Sequence, residues 1–355
     1  MSQRVLSLTA LAIGAAVALT ACSSDPSPSE TTITTTTEST QDVTVHNDAD
    51  VMFAVMMIAH HEQAIEMSDL VLGREGIDPG VADLAATIKE AQSPEIAQMQ
   101  EWLTKWGQED AEQDLSHAGH EDGMMTQEDM AALDQAPGEE ASQLFLEQMI
   151  VHHEGAVDMA QQHLNDGKNA QSLDLAGRII ADQNTEIELM QQMITGMDIA
   201  ASNGLAGLSV QEIINHLDEM PIADRPSTLL ASVRPANLVL STDGQEGSLP
   251  IPDDQFYLSF APYVSGTHDC HFHSLTTCRG ELQNVDMQVT ITNAETGDVL
   301  VDEKKTSFDN GFVGVWLPRG ITADLTVSYD GKEASAEIST TGDEDATCVT
   351  TLKLA

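Results

Sequence analysis

Positive charge is what this chain has least of. Its 355 residues include 14 Lys and Arg against 58 Asp and Glu, a formal net charge of -44 at pH 7. Such an imbalance excludes nucleic acid and anionic lipid surfaces as partners, because both are held by clustered positive charge. It attracts cations, but a solvated acidic surface explains it equally well, so acidity alone does not argue for metal binding. Aromatic residues are also scarce, at 4%, although apolar residues reach 41%, carried by small and aliphatic side chains and 16 Met. That suits helices with small-residue interfaces joined to a less helical part. Phosphate loops, nucleotide fingerprints and nucleophile triads are missing, which removes hydrolases and nucleotide-dependent enzymes. The length allows about two or three domains.

Cysteine is limited to Cys22, Cys270, Cys278 and Cys348. The first follows Arg4, a short apolar run over 5–19 and the tetrapeptide Leu19-Thr20-Ala21-Cys22. The run is too short for a membrane span, and its flanks make it a signal peptide. The tetrapeptide resembles the lipobox of bacterial lipoproteins. That resemblance implies removal of 1–21, lipidation of Cys22 and a cell-membrane lipoprotein. Residues 22–47, rich in Ser, Thr and Pro, read as a disordered tether. Outside the cytoplasm disulfides persist. The three remaining cysteines therefore leave at least one thiol without an internal partner, or put the thiols to work on a metal.

The chain repeats itself. Met56-Met57-Ile58-Ala59-His60-His61-Glu62 returns as Gln148-Met149-Ile150-Val151-His152-His153-Glu154, and Gln92, Glu95, Ile96 and Met99 return as Gln183, Glu186, Ile187 and Met190. A repeat that keeps histidines and methionines suggests shared chemistry as well as shared packing. Apolar spacing predicts long helices over 48–73, 79–107, 139–164 and 169–199, with a break at Pro94 and a short helix over 126–135. The linker between carries His117, His120, Met124 and Met125. The fold class is α + β and multidomain. An antiparallel, ferritin-like four-helix bundle of two helical hairpins occupies 48–203. A small β-sandwich-like domain occupies 204–355, with short leading helices over 208–233 and eight strand-like runs from Asn237 onward.

On a helix, Met56, His60 and Met67 share one stripe, and Met57 and His61 a neighbouring one. Met149 with His153, and His152 with Met159, repeat the arrangement. Thioethers select Cu(I), and imidazole accepts Cu(I), Cu(II) and Zn. A methionine stripe alone is usually core. Paired histidines repeated in an apolar helix need partners, and they tip the reading to metal. Ferritin-type di-iron chemistry uses Glu-x-x-His, which occurs nowhere in the chain. The motif, with Phe53, Ala64, Ile65 and the Gln92 to Trp102 block, resembles the ferritin-like family called domain of unknown function 305. That resemblance implies a ligand role for Met57, His60, His61, Met67, Met149, His152, His153 and Met159. It places Met99 and Met190 opposite them on the partner helices. Gln148, standing where Met56 does, predicts weaker binding by the second copy.

His268-Asp269-Cys270-His271-Phe272-His273 runs to Cys278, packing five Cys or His residues closely. In an extended chain His268 and Cys270 face one way, and His271 and His273 the other. A turn over 274–277 would return Cys278 toward Cys270, with Cys348 able to approach either. Three thiols with imidazoles suit Cu(I), or a thiolate pair that reduces Cu(II) while forming a disulfide. One structural disulfide with a spare cysteine is the plainer alternative, and the spacing matches no common zinc pattern. The stretch from Cys270 to Glu281, preceded by Ala231-Ser232-Val233-Arg234-Pro235, is similar to the CueP family of periplasmic copper-binding proteins. That similarity implies copper binding by these thiols.

The combined expectation is an extracytoplasmic, lipid-anchored protein that binds copper, Cu(I), Cu(II) or both, for sequestration or delivery to an extracytoplasmic copper-accepting protein. The expected role is binding or chaperone, and the residues leave open whether the protein is also an enzyme. A copper-dependent oxidoreductase or Cu(II) reductase, and an envelope structural protein without metal, are the alternatives.

Overall fold

The structure, a computed structural model, describes residues 45–111 and 123–355. The signal segment, Cys22, most of the tether, His117 and His120 lie outside the described residues. Helix α1 (Asp48–Leu72) starts at a reciprocal cap. The Asn47 side chain accepts from the Asp50 N–H at 3.1 Å, and the Asp50 carboxylate accepts from the Asn47 N–H at 2.7 Å. Helix α2 (Pro79–Trp106) starts with Pro79 in its first turn, capped by Asp78. It runs unbroken through Pro94, where the sequence predicted a break. Pro94 is on the exposed face, where a carbonyl freed by the missing N–H can be hydrated. Helices α3 (Gln127–Gln135), α4 (Gly138–Asp166) and α5 (Ala170–Ser202) complete the helical half.

Helices α1 with α2, and α4 with α5, form the two hairpins, and α1 packs against α4 across them. The repeat is visible in the core. Phe53, Met57, Met99, Leu175 and Ile179 sit in one apolar cluster, and Phe145, Met149, Met190, Leu84 and Ile88 in its counterpart. The paired histidines fall between these clusters along α1 and α4. Helix α3 breaks the symmetry by lying across one α1/α4 groove. Gln148 Nε2 donates to the Asp129 carbonyl at 3.1 Å, Gln63 exchanges two hydrogen bonds with the Met125 backbone, and the Arg74 guanidinium donates to Leu133 O at 2.7 Å and Asp134 O at 2.6 Å.

After α6 (Val210–Glu219) and a short turn of 3-10 helix (Ile222–Asp224) the chain becomes strands. These are β1 (Leu230–Val233), β2 (Asn237–Thr242), β3 (Gln245–Pro250), β4 (Gln255–Phe260), β5 (Asp286–Asn293), β6 (Val299–Thr306), β7 (Val313–Pro318), β8 (Thr322–Tyr329), β9 (Lys332–Ser339) and β10 (Cys348–Val349). They form sheets ordered β1-β2-β3, β10-β4-β7 and β6-β5-β8-β9. The last two face each other as a sandwich. Phe256, Leu258 and Phe260 of β4 and alternate residues of β7 meet Met287, Val289, Ile291, Leu325 and Val327. Strand β1 occupies the end of the segment expected to hold short leading helices, 208–233, and β3 falls between two of the expected strand-like runs. The last strand is shorter than the run over 347–354 predicted.

The described residues form one compact unit. The two halves meet where α5 lies against β3, backbone on backbone. A side chain at Gly247 would come within 2.8 Å of the Gly196 Cα, and one at Gly196 within 2.9 Å of the Ser248 carbonyl oxygen. No helix among the described residues is long and apolar enough to cross a membrane.

A Gly247→Ala substitution should therefore destabilise the protein by ~1–3 kcal/mol, the usual cost of overpacking against atoms that cannot move aside. Gly177→Ala, in the same helix as Gly196 but with open space around it, should instead stabilise by up to ~1 kcal/mol through helix propensity. Urea unfolding of the two variants checks the contrast.

Candidate metal sites

The cysteine-histidine stretch does not run as an extended strand. His273 and Leu275 hydrogen-bond the edge of β1: the Val233 N–H donates to His273 O at 2.8 Å, and the Leu275 N–H to Ala231 O at 2.9 Å. The expected turn follows, closed by the Cys278 N–H to Ser274 O at 3.1 Å. Strand β10 pairs in parallel with β4, Cys348 opposite Ser259, and the Cys348 N–H donates to His271 O at 3.0 Å. These anchors converge four side chains. The ligand atoms of Cys270, His273, Cys278 and Cys348 all lie within 4.8 Å of one another.

Cys270 and Cys348 are joined as a disulfide, and Cys278 is a free thiol whose Sγ is 3.5 Å from Cys270 Sγ. His273 is fully buried, with Nδ1 3.8 Å from Cys348 Sγ and Nε2 3.0 Å from Asp218 Oδ1. Asp218, on α6, is itself fully buried. It accepts from Tyr257 Oη at 2.7 Å, Ser259 Oγ at 3.2 Å and Asn310 Nδ2 at 2.7 Å. Burial alone would drive the proton off His273. The Asp218 carboxylate reverses that and lifts the imidazole to about 9. Burial also raises the Cys278 thiol, but the adjacent imidazolium outweighs it, and the net direction is down, toward thiolate. A carboxylate holding one nitrogen of a histidine whose other nitrogen faces the ligand position is a common support for metal-binding imidazole.

His268 and His271 stay outside this group. Both are exposed, and His271 Nε2 is engaged with the Glu344 carbonyl at 2.9 Å. Strand alternation, which paired His268 with Cys270 and His271 with His273, does not apply to a chain that bends at 271 and 272. Sequence reasoning missed Asp218. Its signal was present, since it sits one turn after Ile214 on the apolar stripe of α6, where a carboxylate must find partners.

In the bundle, the two histidine pairs meet across the internal two-fold relation of the repeat. The rings of His60 and His152 are 3.7 Å apart, centroid to centroid. His61 Nε2 lies 2.8 Å from Glu95 Oε2, and His153 Nε2 lies 2.6 Å from Glu186 Oε2. All four histidines are buried. The Nδ1 atoms of His61 and His153, and both ring nitrogens of His152, have no hydrogen-bond partner among the described residues. Burial, and then the neighbouring His60, His153 and His61, push His152 well below its ordinary value, so its imidazole is neutral at pH 7. Gln92 and Gln183, each buried at equivalent places, leave a side-chain oxygen unsatisfied among the described residues. The layer can accept a cation or a bridging group.

The histidines of the two copies thus lie in one layer. The methionines do not form one stripe with them. Met57 and Met99 pack in one apolar cluster, and Met67, Met149 and Met190 in the other, all fully buried. Met56 and Met159 are only half-buried and line a cleft at one end of the bundle.

Fold and site together define a protein of two modules, a helical bundle with a buried His/Glu layer and a β domain with a Cys/His group that could hold a metal ion. Residues 50–194 match the family described as domain of unknown function (DUF305), and residues 212–353 match the family described as periplasmic copper-binding protein CueP. The chain belongs to both families, one in each half. It is 42% identical to S.CueP of a crystal structure, over 45% of this chain and 97% of that one, with a TM-score of 0.42. It is 30% identical to a DUF305 fragment from Deinococcus radiodurans, over 42% of this chain and 96% of that one, TM-score 0.36. CopM in its Cu(II)-bound form is also 30% identical, over 41% of this chain and 96% of that one, TM-score 0.37. No curated protein matches the chain.

A pH dependence follows from the Asp218–His273 pair. Its folded imidazole titrates at about 9 against an ordinary 6.5. The pair's contribution to stability is therefore whole below 6.5 and is lost as pH rises through 9. Cys278 runs the opposite way, so the test uses metal-free Cys278→Ala protein. Its urea midpoint should fall between pH 6.5 and 9, and adding Asp218→Asn should abolish that fall.

Proposed function

We propose that this protein binds copper outside the cytoplasm, held at the membrane by lipid on Cys22, and sequesters it or hands it to an extracytoplasmic acceptor. The observation that carries the reading is the convergence of three sulfurs and one imidazole, from Cys270, Cys278, Cys348 and His273, on one point. Sulfur with imidazole is the donor set of Cu(I). While Cys270 and Cys348 are bridged, only Cys278 offers a thiolate. Two electrons from a thiol reductant open the bridge and supply the other two, so copper capture at this site depends on redox state. The membership of this half in a family described as copper-binding supports the reading. The buried His60, His61, His152 and His153 layer, with Glu95 and Glu186 behind it, is a second place for copper in the same protein.

A Cu(II) reductase reading has one observation in its favour, the bridged pair with a third thiol beside it. Two thiolates give one electron each to two Cu(II), yielding two Cu(I) and the Cys270–Cys348 disulfide, which an external thiol must reduce again before a second cycle.

The experiment is an anaerobic Cu(I) titration against a chromophoric chelator. The reduced protein should take up copper at both sites. Cys278→Ser and Cys270→Ser should each weaken the thiol site by ~10-fold or more, since even changes one shell away from a metal commonly cost that much. Uptake no greater than that of a generic acidic protein would remove the proposal. A His60→Ala, His152→Ala double variant should lose the bundle copper and keep the thiol copper. Repeated conversion of Cu(II) to Cu(I) with excess reductant, beyond one turnover per protein, would favour the reductase.

A further inference from the structure

Beside the contact of α5 with β3 the two halves enclose a cavity of about 450 Å³. Asp78 and Pro79 at the start of α2 and Glu139 at the start of α4 form its bundle side, and Glu212 and Ile213 on α6 with Leu249 on β3 form the other. The wall between them, from Met197 to Ser209, lies outside both family matches, which end at 194 and begin at 212. The cavity is therefore a property of the joined chain, and neither half makes it alone. Its volume falls in the ordinary range of small-molecule sites, about 300–1,000 Å³. Gly207 turns the wall in the left-handed region, at φ 73°, and its N–H donates to Glu139 Oε1 at 3.1 Å, tying the connecting loop to α4.

Three carboxylates line this space, and no Lys or Arg does. Each is held by one oxygen. Asp78 Oδ1 accepts from the Gly80 N–H at 2.9 Å and the Val81 N–H at 3.2 Å, Glu139 Oε1 from Gly207, and Glu212 Oε2 from the Ser209 N–H and Oγ, both at 2.9 Å. The second oxygen of each has no hydrogen-bond partner among the described residues. Burial lifts the Asp78 carboxyl above its ordinary value, as it does where no cation offsets the lost water. Much of the remaining lining is aliphatic: Ile77, Met197, Leu205, Leu208, Ile213 and Leu249. A bare calcium ion takes about six to eight oxygens, which aliphatic side chains do not supply. One ammonium group would answer one carboxylate and leave two. A methylene chain carrying several ammonium groups answers all three and covers the apolar surface between them, as the stem of a lysine does.

We propose that this cavity is a binding site for an aliphatic polyamine, its ammonium groups paired with Asp78, Glu139 and Glu212 and its methylenes laid on Leu205, Leu208 and Leu249. The site is separate from the histidine layer and the sulfur group and involves neither metal nor redox state. Its occupant touches α2, α4, α6 and β3 at once, so binding clamps the two modules together.

The test is a calorimetric titration of the full, metal-free chain with spermidine at ~0.15 M salt, where charges more than ~8 Å apart are largely screened. One saturable site per chain should appear, which butylammonium or Ca(II) at equal concentration does not displace. Asp78→Asn keeps the helix cap, and Glu139→Gln keeps an acceptor for Gly207. Each should weaken binding by ~10-fold or more, the loss expected when a hydrogen bond between charged groups is removed. Ala206→Trp, at an exposed position of the lining, should fill the space and abolish binding without lowering the Tm. As a control, Asp324→Asn with Glu337→Gln removes two charges from an exposed pair on β8 and β9 and should leave the affinity unchanged. Equal weakening in that control would mean general attraction to an acidic surface and would overturn the proposal. So would undiminished binding by Ala206→Trp, or displacement by butylammonium or Ca(II). No copper enters the measurement, so its outcome is independent of the copper reading.

Discussion

One buried carboxylate ties the C-terminal half together. Asp218 takes hydrogen bonds from Tyr257 and Ser259 on β4, Asn310 before β7 and His273 in the cysteine loop, while itself standing on α6. A charge so deep is tolerable only because every lone pair is answered and a cation sits beside it. The consequence reaches the sulfurs. His273 keeps its proton because of Asp218, and the Cys278 thiol is drawn toward thiolate because of His273. Removing one acid from a helix would therefore change the nucleophilicity of a cysteine 60 positions later in the chain. The reactivity of the sulfur group is set from outside it.

The bundle reaches a polar centre by another route, duplication. Because the repeat brings equivalent residues face to face, His60 meets His152 and each outer histidine finds its own glutamate. The glutamates answer one nitrogen of each outer histidine, while the His152 ring nitrogens have no hydrogen-bond partner among the described residues. The symmetry then fails where the linker between the hairpins folds back as α3. That helix is held by Arg74, Gln63 and Gln148, none of which has a matching residue at the other groove. Duplication made the layer, and an insertion made the two grooves unequal.

Much of the fold could be read from the chain. The four long helices, the short α3 and α6 and most strands follow from apolar spacing and capping residues, because those signals are local. Strands β1 and β3 escaped because their pairing is set by contact with α5 and the cysteine loop, which the sequence does not announce. The break expected at Pro94 did not occur, since a proline on an exposed helical face costs less than the packing around it gains. At the sites, the ligand types were legible and their grouping only partly so. Cys270, His273, Cys278 and Cys348 come together, while His268 and His271 do not, because the loop bends. The histidine pairs were visible as motifs, but their meeting across the repeat is tertiary. Asp218 went unread as a partner, although it lies on a stripe that helical spacing exposes.

Helix α5 has 33 residues and does not stop where the bundle needs it to. It carries Glu186 behind one histidine pair and, ten residues on, lies with Gly196 directly on β3. Two modules that would elsewhere be joined by a hinge share a strut instead. The separation between the histidine layer and the sulfur group is therefore set by the run of one helix and its seat on a strand, not by the length of a linker.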